Sequence, residues 1–430
     1  MGSEATVMDE KKQAILLLSA YFSAAKKGDP MPLTALEYGR FALWLNENEF
    51  QPQDLFYRFD DICKQWEDPK GKITIERLQF LLGRGMAMGL ALEKWQSAGI
   101  WFISRSDSDY PSRLKKALGV GAPAILFGVG NKRLLNAGGL AIVGSRNIDD
   151  ADRSFTATVA KQAAMEGLSV VSGGARGVDE TAMLAALEVD GTALGILSND
   201  LFKAAIASKW RRYIKSNQLV LTSPFYPEAS FQVGNAMGRN KYIYCLADYA
   251  LAVRSEEGKG GTWSGAKENL RKAWVPMFVK TGSTASGNVA LTQIGALPLI
   301  APDQADESQT DWLLPQLKGE MVTEPDSVVD TMVSGGADKK DTNALNADQA
   351  ENEEDSKDEF QQFVELILKQ INENGKVTLA ELKKLRIDLR QKQLTDLLDR
   401  AAEEGVVERK GQRRTYILKS DVQEQLDIFS

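Results

Sequence analysis

From Gly138 to about Ile300 the chain alternates short runs rich in Val, Ile and Leu with stretches of helical periodicity, and no other feature limits its fold as much. Strands are expected at 140–143, 169–172, 192–197, 219–222, 249–253 and 275–279. Helices are expected between them, roughly at 151–166, 179–189, 201–216, 235–247 and 263–273. Strands separated by helices are joined by crossovers, which make neighbouring strands parallel and put helices on the faces of the sheet. The expected fold class is therefore α/β, a doubly wound parallel sheet that binds its ligands beyond the carboxyl ends of the strands.

The flanks read differently. Residues 1–105 are expected to form an all-helical N-terminal domain, signalled by the capping box Thr34-Ala-Leu-Glu37 and by Tyr38, Phe41, Ala42 and Leu45 at helical spacing behind it. The apolar run 14–25 is too short and too interrupted by serine to span a bilayer, so a packed helix is expected there and no membrane partner. Within this domain, Arg77 to Trp95 reads as two short helical stretches around Gly83 and Gly85, similar to a helix-hairpin-helix or SAM-like turn. Such a turn serves either interhelical packing or contact of its backbone amides with a phosphate.

Residues 326–357 are expected to be an acidic flexible linker. Residues 338–359 contain nine acids, three lysines and one large aliphatic side chain, Leu345, too little apolar surface to offset the entropy of ordering. Residues 358–420 follow as helix, helix, helix and hairpin, a winged-helix pattern in which Thr378 caps the second helix and Lys410-Gly411-Gln412 makes the hairpin turn. Its third helix mixes acids with bases, so it reads as a protein-binding module or as a duplex contact through Arg409, Lys410, Arg413 and Arg414. Residues 421–430 are a tail.

Composition narrows the chemistry. The chain has no histidine, which removes Ser-His-Asp and Cys-His hydrolase arrangements and His-ligated zinc. Its two cysteines, Cys63 and Cys245, lie far apart in sequence, which argues against a disulfide framework and a thiolate metal site and fits a cytoplasmic protein. No metal and no cofactor is expected. The formal charge is −7, yet residues 138–300 carry 17 bases against 14 acids, a balance permissive for a polyanion.

The loops after the expected strands carry the candidate site. The first strand ends in Gly144-Ser145-Arg146, a turn suited to bringing backbone amides, a helix dipole and a guanidinium to a phosphate. The second ends in Ser172-Gly173-Gly174-Ala175-Arg176-Gly177-Val178-Asp179, with glycines for close backbone approach, a second guanidinium, and Asp179 placed to cap the following helix. A third loop contains Lys259, Gly260, Gly261 and Thr262 and lacks the spacing of an ATP-binding P-loop. Arg239-Asn240-Lys241 lies in a helix with one basic and one apolar face. That helix either solvates its charges or tracks a phosphate backbone, while an aromatic such as Phe231 stacks a base. The run containing Lys209 and Arg212 is a weaker candidate of the same kind.

Taken in order, these motifs resemble the DprA/Smf family of DNA-processing proteins. The resemblance covers roughly residues 95–300: Asp109-Tyr110-Pro111, Pro123 to Asn131, AIVGSR at 141–146, VVSGGARGVD at 170–179, GRNKYIY at 238–244 and GGTW at 260–263. It implies an extended Rossmann-like domain over 106–325, sequence-tolerant binding of single-stranded DNA, delivery of the recombinase RecA to that DNA, and a homodimer. It also implies a pocket lined by Gly144, Ser145, Arg146, Ser172, Gly173, Arg176, Gly177, Asp179, Arg239, Asn240, Lys241, Gly261 and Thr262, with no catalytic residue.

The chain departs from the family pattern where Met183 replaces a histidine and Arg254 replaces an acid. Two other readings stand beside recombination or DNA uptake. One is a DNA sensor or antitoxin whose partner is a cassette-encoded toxin or effector. The other is a nucleoside monophosphate phosphoribohydrolase using Glu268, which lies downstream of the GGT loop.

Overall fold

The computed structural model describes residues 8–24, 28–301 and 311–319, and further on residues 367, 377–378, 382, 398, 407–410 and 415–418. They fall in two compact units, the larger reaching through Gly319 and the smaller holding the later segments.

The larger unit is built on one nine-stranded sheet: β1 Trp101–Ser104, β2 Ile125–Gly130, β3 Leu140–Val143, β4 Val170–Ser172, β5 Ala193–Ile196, β6 Leu219–Ser223, β7 Tyr249–Ala252, β8 Met277–Lys280 and β9 Leu297–Leu299. Their spatial order is β1-β2-β6-β5-β4-β3-β7-β8-β9. From β6 to β9 all neighbours are parallel, as the strand-helix alternation requires. The chain starts in the middle at β3, winds outward to β6, then returns to the other side of β3 with β7. That reversal opens a crevice at the carboxyl ends of β3 and β7, the place where sheets of this kind bind ligands.

All six expected strands are present, and three more extend the sheet. β1 and β2 form an antiparallel pair, with Trp101 opposite Gly128, and β2 joins β6 antiparallel, with Phe127 opposite Ser223. Residues 101–104 were expected to close the helical region and are instead an edge strand. Gly128 allows this pairing, because a Cβ there would overlap the Trp101 indole.

Before β1 come the helices Glu10–Ser19, Ala35–Glu47, Asp54–Tyr57, Phe59–Gln65, Ile75–Leu82 and Gly85–Ser97. The capping box forms as its spacing predicts: Glu37 N–H donates to Thr34 Oγ1 at 3.3 Å, and Thr34 N–H donates to Glu37 Oε2 at 2.8 Å. The run Ala14 to Leu18 is fully enclosed, as expected of a packed helix. In the Gly83 to Gly85 turn, Arg84 points inward. Its guanidinium donates to the Leu17 carbonyl and lies over the Phe22 ring at 5.0 Å, so this side chain serves packing.

These helices and the sheet share one apolar core. Trp95 joins them: it is buried, meets Phe127 and Tyr226 edge-on with centroids 5.2 and 5.9 Å away, and donates its indole N–H to Glu228 at 3.1 Å. Among the described residues no helix is long and apolar enough to cross a membrane.

The smaller unit shows an antiparallel sheet of β10 Val377–Thr378, β11 Val407–Lys410 and β12 Thr415–Leu418, in the order β10-β12-β11. Lys410 pairs with Thr415 in the antiparallel register of β11 and β12, and the expected turn at 411–412 lies outside the described residues. Ile367, Leu382 and Leu398 are helical and buried. The rest of the expected winged-helix segment, the acidic linker and the tail lie outside the described residues.

Because Trp95 packs on the sheet, Trp95→Ala is expected to cost about 3–5 kcal/mol by cavity formation. Denaturant unfolding followed separately by helical and tertiary signals checks this, and both signals are expected to shift together. A loss below about 1 kcal/mol would contradict a shared core.

Candidate nucleic-acid interface

The loops after β3, β4 and β7 meet at the carboxyl edge of the sheet. Ser145, just beyond β3, is held through both of its peptide groups. Its N–H donates to the Arg254 carbonyl at 3.1 Å, just beyond β7, and its carbonyl accepts the Val178 N–H at 3.2 Å. Its hydroxyl accepts the Asn147 N–H at 3.1 Å. Gly144 lies directly against Val178. The crossing of the two loops needs Gly177, whose φ of +91° is left-handed and whose added Cβ would overlap the Ser145 carbonyl. At the surface Arg176 Nη2 reaches Asn147 Oδ1 at 3.4 Å, so Asn147, which the motif reading did not single out, bridges the two loops.

Beneath the second loop lies a buried charged layer. The helix Val178–Glu188 starts at Gly177, which makes no side-chain cap bond. Asp179 therefore does not cap the helix as expected. It sits in the first turn, buried, and accepts the backbone N–H groups of Ala175 and Gly173. Arg239, from the helix Val233–Leu246, is buried beside it and donates from Nη1 to the Ile196 carbonyl at 2.9 Å. Its Nε has no partner among the described residues. Burial pushes the Asp179 carboxyl up from its ordinary value, opposed chiefly by Arg239. It likewise pushes the Arg239 guanidinium down, opposed by Asp179. Gly173 makes room for both, since a Cβ there would overlap the Arg239 guanidinium and crowd Asp179 Oδ2.

The remaining candidates divide by position. Arg146 is exposed and stacks on the exposed ring of Phe231, with its guanidinium carbon 4.9 Å from the centroid. Lys241 is half-buried with its ammonium 5.2 Å from the Tyr242 centroid. Asn240 turns to the third loop and donates from Nδ2 to the Gly261 carbonyl at 2.9 Å. That bond ties down the first turn of the helix Gly260–Lys272, where Gly260, Gly261 and the half-buried Thr262 lie and Lys259 is the exposed cap residue. Gly174 is half-buried beside Leu197. Ser172 is fully buried and donates its hydroxyl to the Ile142 carbonyl at 2.6 Å, binding β4 to β3. Lys209 and Arg212 lie on the helix Ser208–Lys215, where Lys209 pairs at 2.9 Å with Glu180, whose backbone N–H donates to the Ala175 carbonyl of the second loop.

Arg254, noted in the sequence only as a departure, anchors the site from below. It pairs with Asp149 at 3.2 Å and with buried Asp152 at 3.0 Å, and Lys280 reaches Asp152 at 2.7 Å. This cluster fixes the start of the helix Asp150–Met165 against β7 and β8. Hydrogen bonding by the Asp152 N–H, with Arg254 and Lys280 nearby, holds the Asp149 carboxyl below the usual range. The pairing was not legible because its members are scattered along the sequence. Met183 is fully buried and packs toward Gly195 of β5. Glu268 lies eight residues beyond Gly260 in its helix, about 12 Å along the axis.

The arrangement offers fixed backbone groups, two exposed guanidiniums and an aromatic face, which suit an anionic, base-bearing ligand. Among the described residues no group of three or more His, Cys, Asp or Glu side chains is placed to hold a metal ion. Gly173→Ala is expected to cost about 1–3 kcal/mol by overpacking onto Arg239. Gly83→Ala, where an added Cβ meets only contacts of 3.5 Å, serves as the tolerated control in the same denaturant titration. Equal stability of the two variants would contradict the close approach at Gly173.

Comparison with known proteins agrees with the motif order. Residues 101–308 match the family model described as DNA recombination-mediator protein A. DNA processing protein DprA of Bacillus subtilis is 27% identical over 213 residues, covering 48% of this chain and 70% of that protein. Protein Smf of Synechocystis is 26% identical over 248 residues, covering 52% of this chain and 60% of that protein. The X-ray structure of DprA from Streptococcus pneumoniae has 20% identity and a TM-score of 0.47, covering 63% of this chain and 95% of that one. Residues 101–308 thus carry the chain's match to the DprA/Smf family of DNA-processing proteins.

Proposed function

We propose that this protein binds single-stranded DNA at the carboxyl edge of its sheet and acts, without catalysis, in recombination or DNA uptake. The observation that carries the reading is the Arg146–Phe231 stack beside the two crossed glycine loops. Proteins that bind single strands without sequence preference combine a cationic track for the backbone with a π-face for unstacked bases. Here Arg146 is the bidentate phosphate donor and Phe231 the stacking surface. Arg176, Lys241 and Lys259 add charge, and the backbone at Gly173 and Gly177 lets the strand approach closely. Asp179 and Arg239 act below the surface by holding the second loop in shape.

A duplex keeps its bases stacked inside and cannot use Phe231 in this way, so the geometry favours the single strand. The family description as a recombination mediator supports a wider role in which the coated strand is handed to RecA by a cytoplasmic homodimer.

Fluorescence anisotropy with labelled oligonucleotides across a salt series tests the reading. Single-stranded DNA is expected to bind more tightly than duplex, with affinity falling as salt rises. Arg146→Glu is expected to weaken binding at least about ten-fold by replacing a phosphate donor with a repelling charge, and Phe231→Ala to cost about 1–3 kcal/mol. Equal affinity for both forms of DNA, or indifference to Arg146→Glu, would contradict it.

A further inference from the structure

The segment 201–227 contains five bases and no acid, in a chain whose overall charge is −7. It forms the helices Leu201–Ile206 and Ser208–Lys215 and then enters β6. The second helix is sharply two-sided. Trp210 and Tyr213 are buried against the sheet, while Lys209, Arg211, Arg212 and Lys215 are exposed. Two of these cations are held against rings: Lys209 lies 5.0 Å from the Trp210 centroid and Arg212 4.3 Å from the Tyr213 centroid. Cation–π contact of this kind fixes the charged group in place and leaves its outer face open to an anion.

Local acids neutralise the face only at Lys209. Glu180 is taken by Lys209 at 2.9 Å and Asp200 by Lys203 at 3.1 Å. Among the described residues Arg211, Arg212 and Lys215 have no ion-pair partner. The Glu180 contact also places this face relative to the pocket. Glu180 directly follows Asp179, whose carboxylate holds the Gly173 amide, so Lys209 stands at the rim of the loop crossing. From Lys209 to Lys215 the helix then runs about 9 Å further.

We infer that the exposed face of the helix Ser208–Lys215 is a second contact for the same DNA strand, receiving its phosphates as it leaves the loops at Lys209 and carrying them toward Lys215. The inference rests on the single-strand reading above and extends it with a defined exit path. Specificity is not expected from this contact, because cations on phosphates position a strand without reading its bases.

The test compares a short oligonucleotide of about six residues, enough to fill the loops, with one of about 30 residues that also crosses the helix. In the triple variant Lys209→Gln, Arg212→Gln, Lys215→Gln, affinity for the long strand is expected to fall at least about ten-fold and its salt slope to shrink by about 2, that is three contacts at roughly 0.7 each. Affinity for the short strand is expected to stay unchanged, which also reports an intact fold. The charge-keeping variant Lys209→Arg, Arg212→Lys, Lys215→Arg is expected to retain the wild-type slope. Equal losses on both lengths, or an unchanged slope on the long strand, would overturn the exit path and leave the loop site standing. Wild-type protein that binds neither length would overturn both.

Discussion

The two peptide groups flanking Ser145 tie three strands into one binding edge. Its N–H is donated to the end of β7 and its carbonyl accepts from the start of the helix after β4. Each such bond contributes only about 0.5–1.5 kcal/mol net, but leaving either partner unpaired at this packed crossing would cost about 1–3 kcal/mol. The loop is therefore set in one conformation before any ligand arrives. That conformation puts Arg146 outward, over Phe231, while Gly177 gives the second loop the left-handed turn it needs to pass beneath.

The layer below trades stability for shape. Taking Asp179 and Arg239 out of water carries a desolvation penalty that their mutual attraction only partly offsets, and each is pushed toward its neutral form. A hydrophobic pair would cost less to bury. Only the charged pair provides acceptors for the Gly173 and Ala175 amides together with a donor to the Ile196 carbonyl, binding the second loop to the end of β5. On the other side of β3, the pairing of Arg254 and Lys280 with Asp149 and Asp152 fixes the next helix start. The cations exposed for a ligand are thus different residues from the cations that hold the frame.

Much of the fold was legible because its signals are local. Apolar runs of strand length, broken by glycine and separated by helical periodicity, placed the six inner strands, and Thr34 with Glu37 marked a helix start that forms as expected. The strands β1, β2 and β9 were not legible as strands. β1 and β2 pair antiparallel, outside the strand-helix alternation, β1 follows directly on helical sequence, and β9 spans only Leu297–Leu299. The candidate residues were legible as types at the ends of strands, because glycine and arginine there have few bland explanations. Their orientation was not. Ser172 and Asp179 look like ligand contacts in sequence and turn inward, since the register of β4 and the start of the next helix at Gly177 decide which way they face. The Arg146–Phe231 stack joins residues far apart in sequence and depends on the tertiary arrangement of two loops.

Hydrogen exchange of the intact chain, measured with and without a single-stranded oligonucleotide, most directly asks whether the crossed loops are the binding edge. Backbone amides that meet a bound strand exchange more slowly, and amides elsewhere keep their rates. If the Ser145 crossing organises the site, slowing should fall on residues 144–147 and 173–177 together. DNA binding that leaves both loops exchanging at their free rates would contradict it.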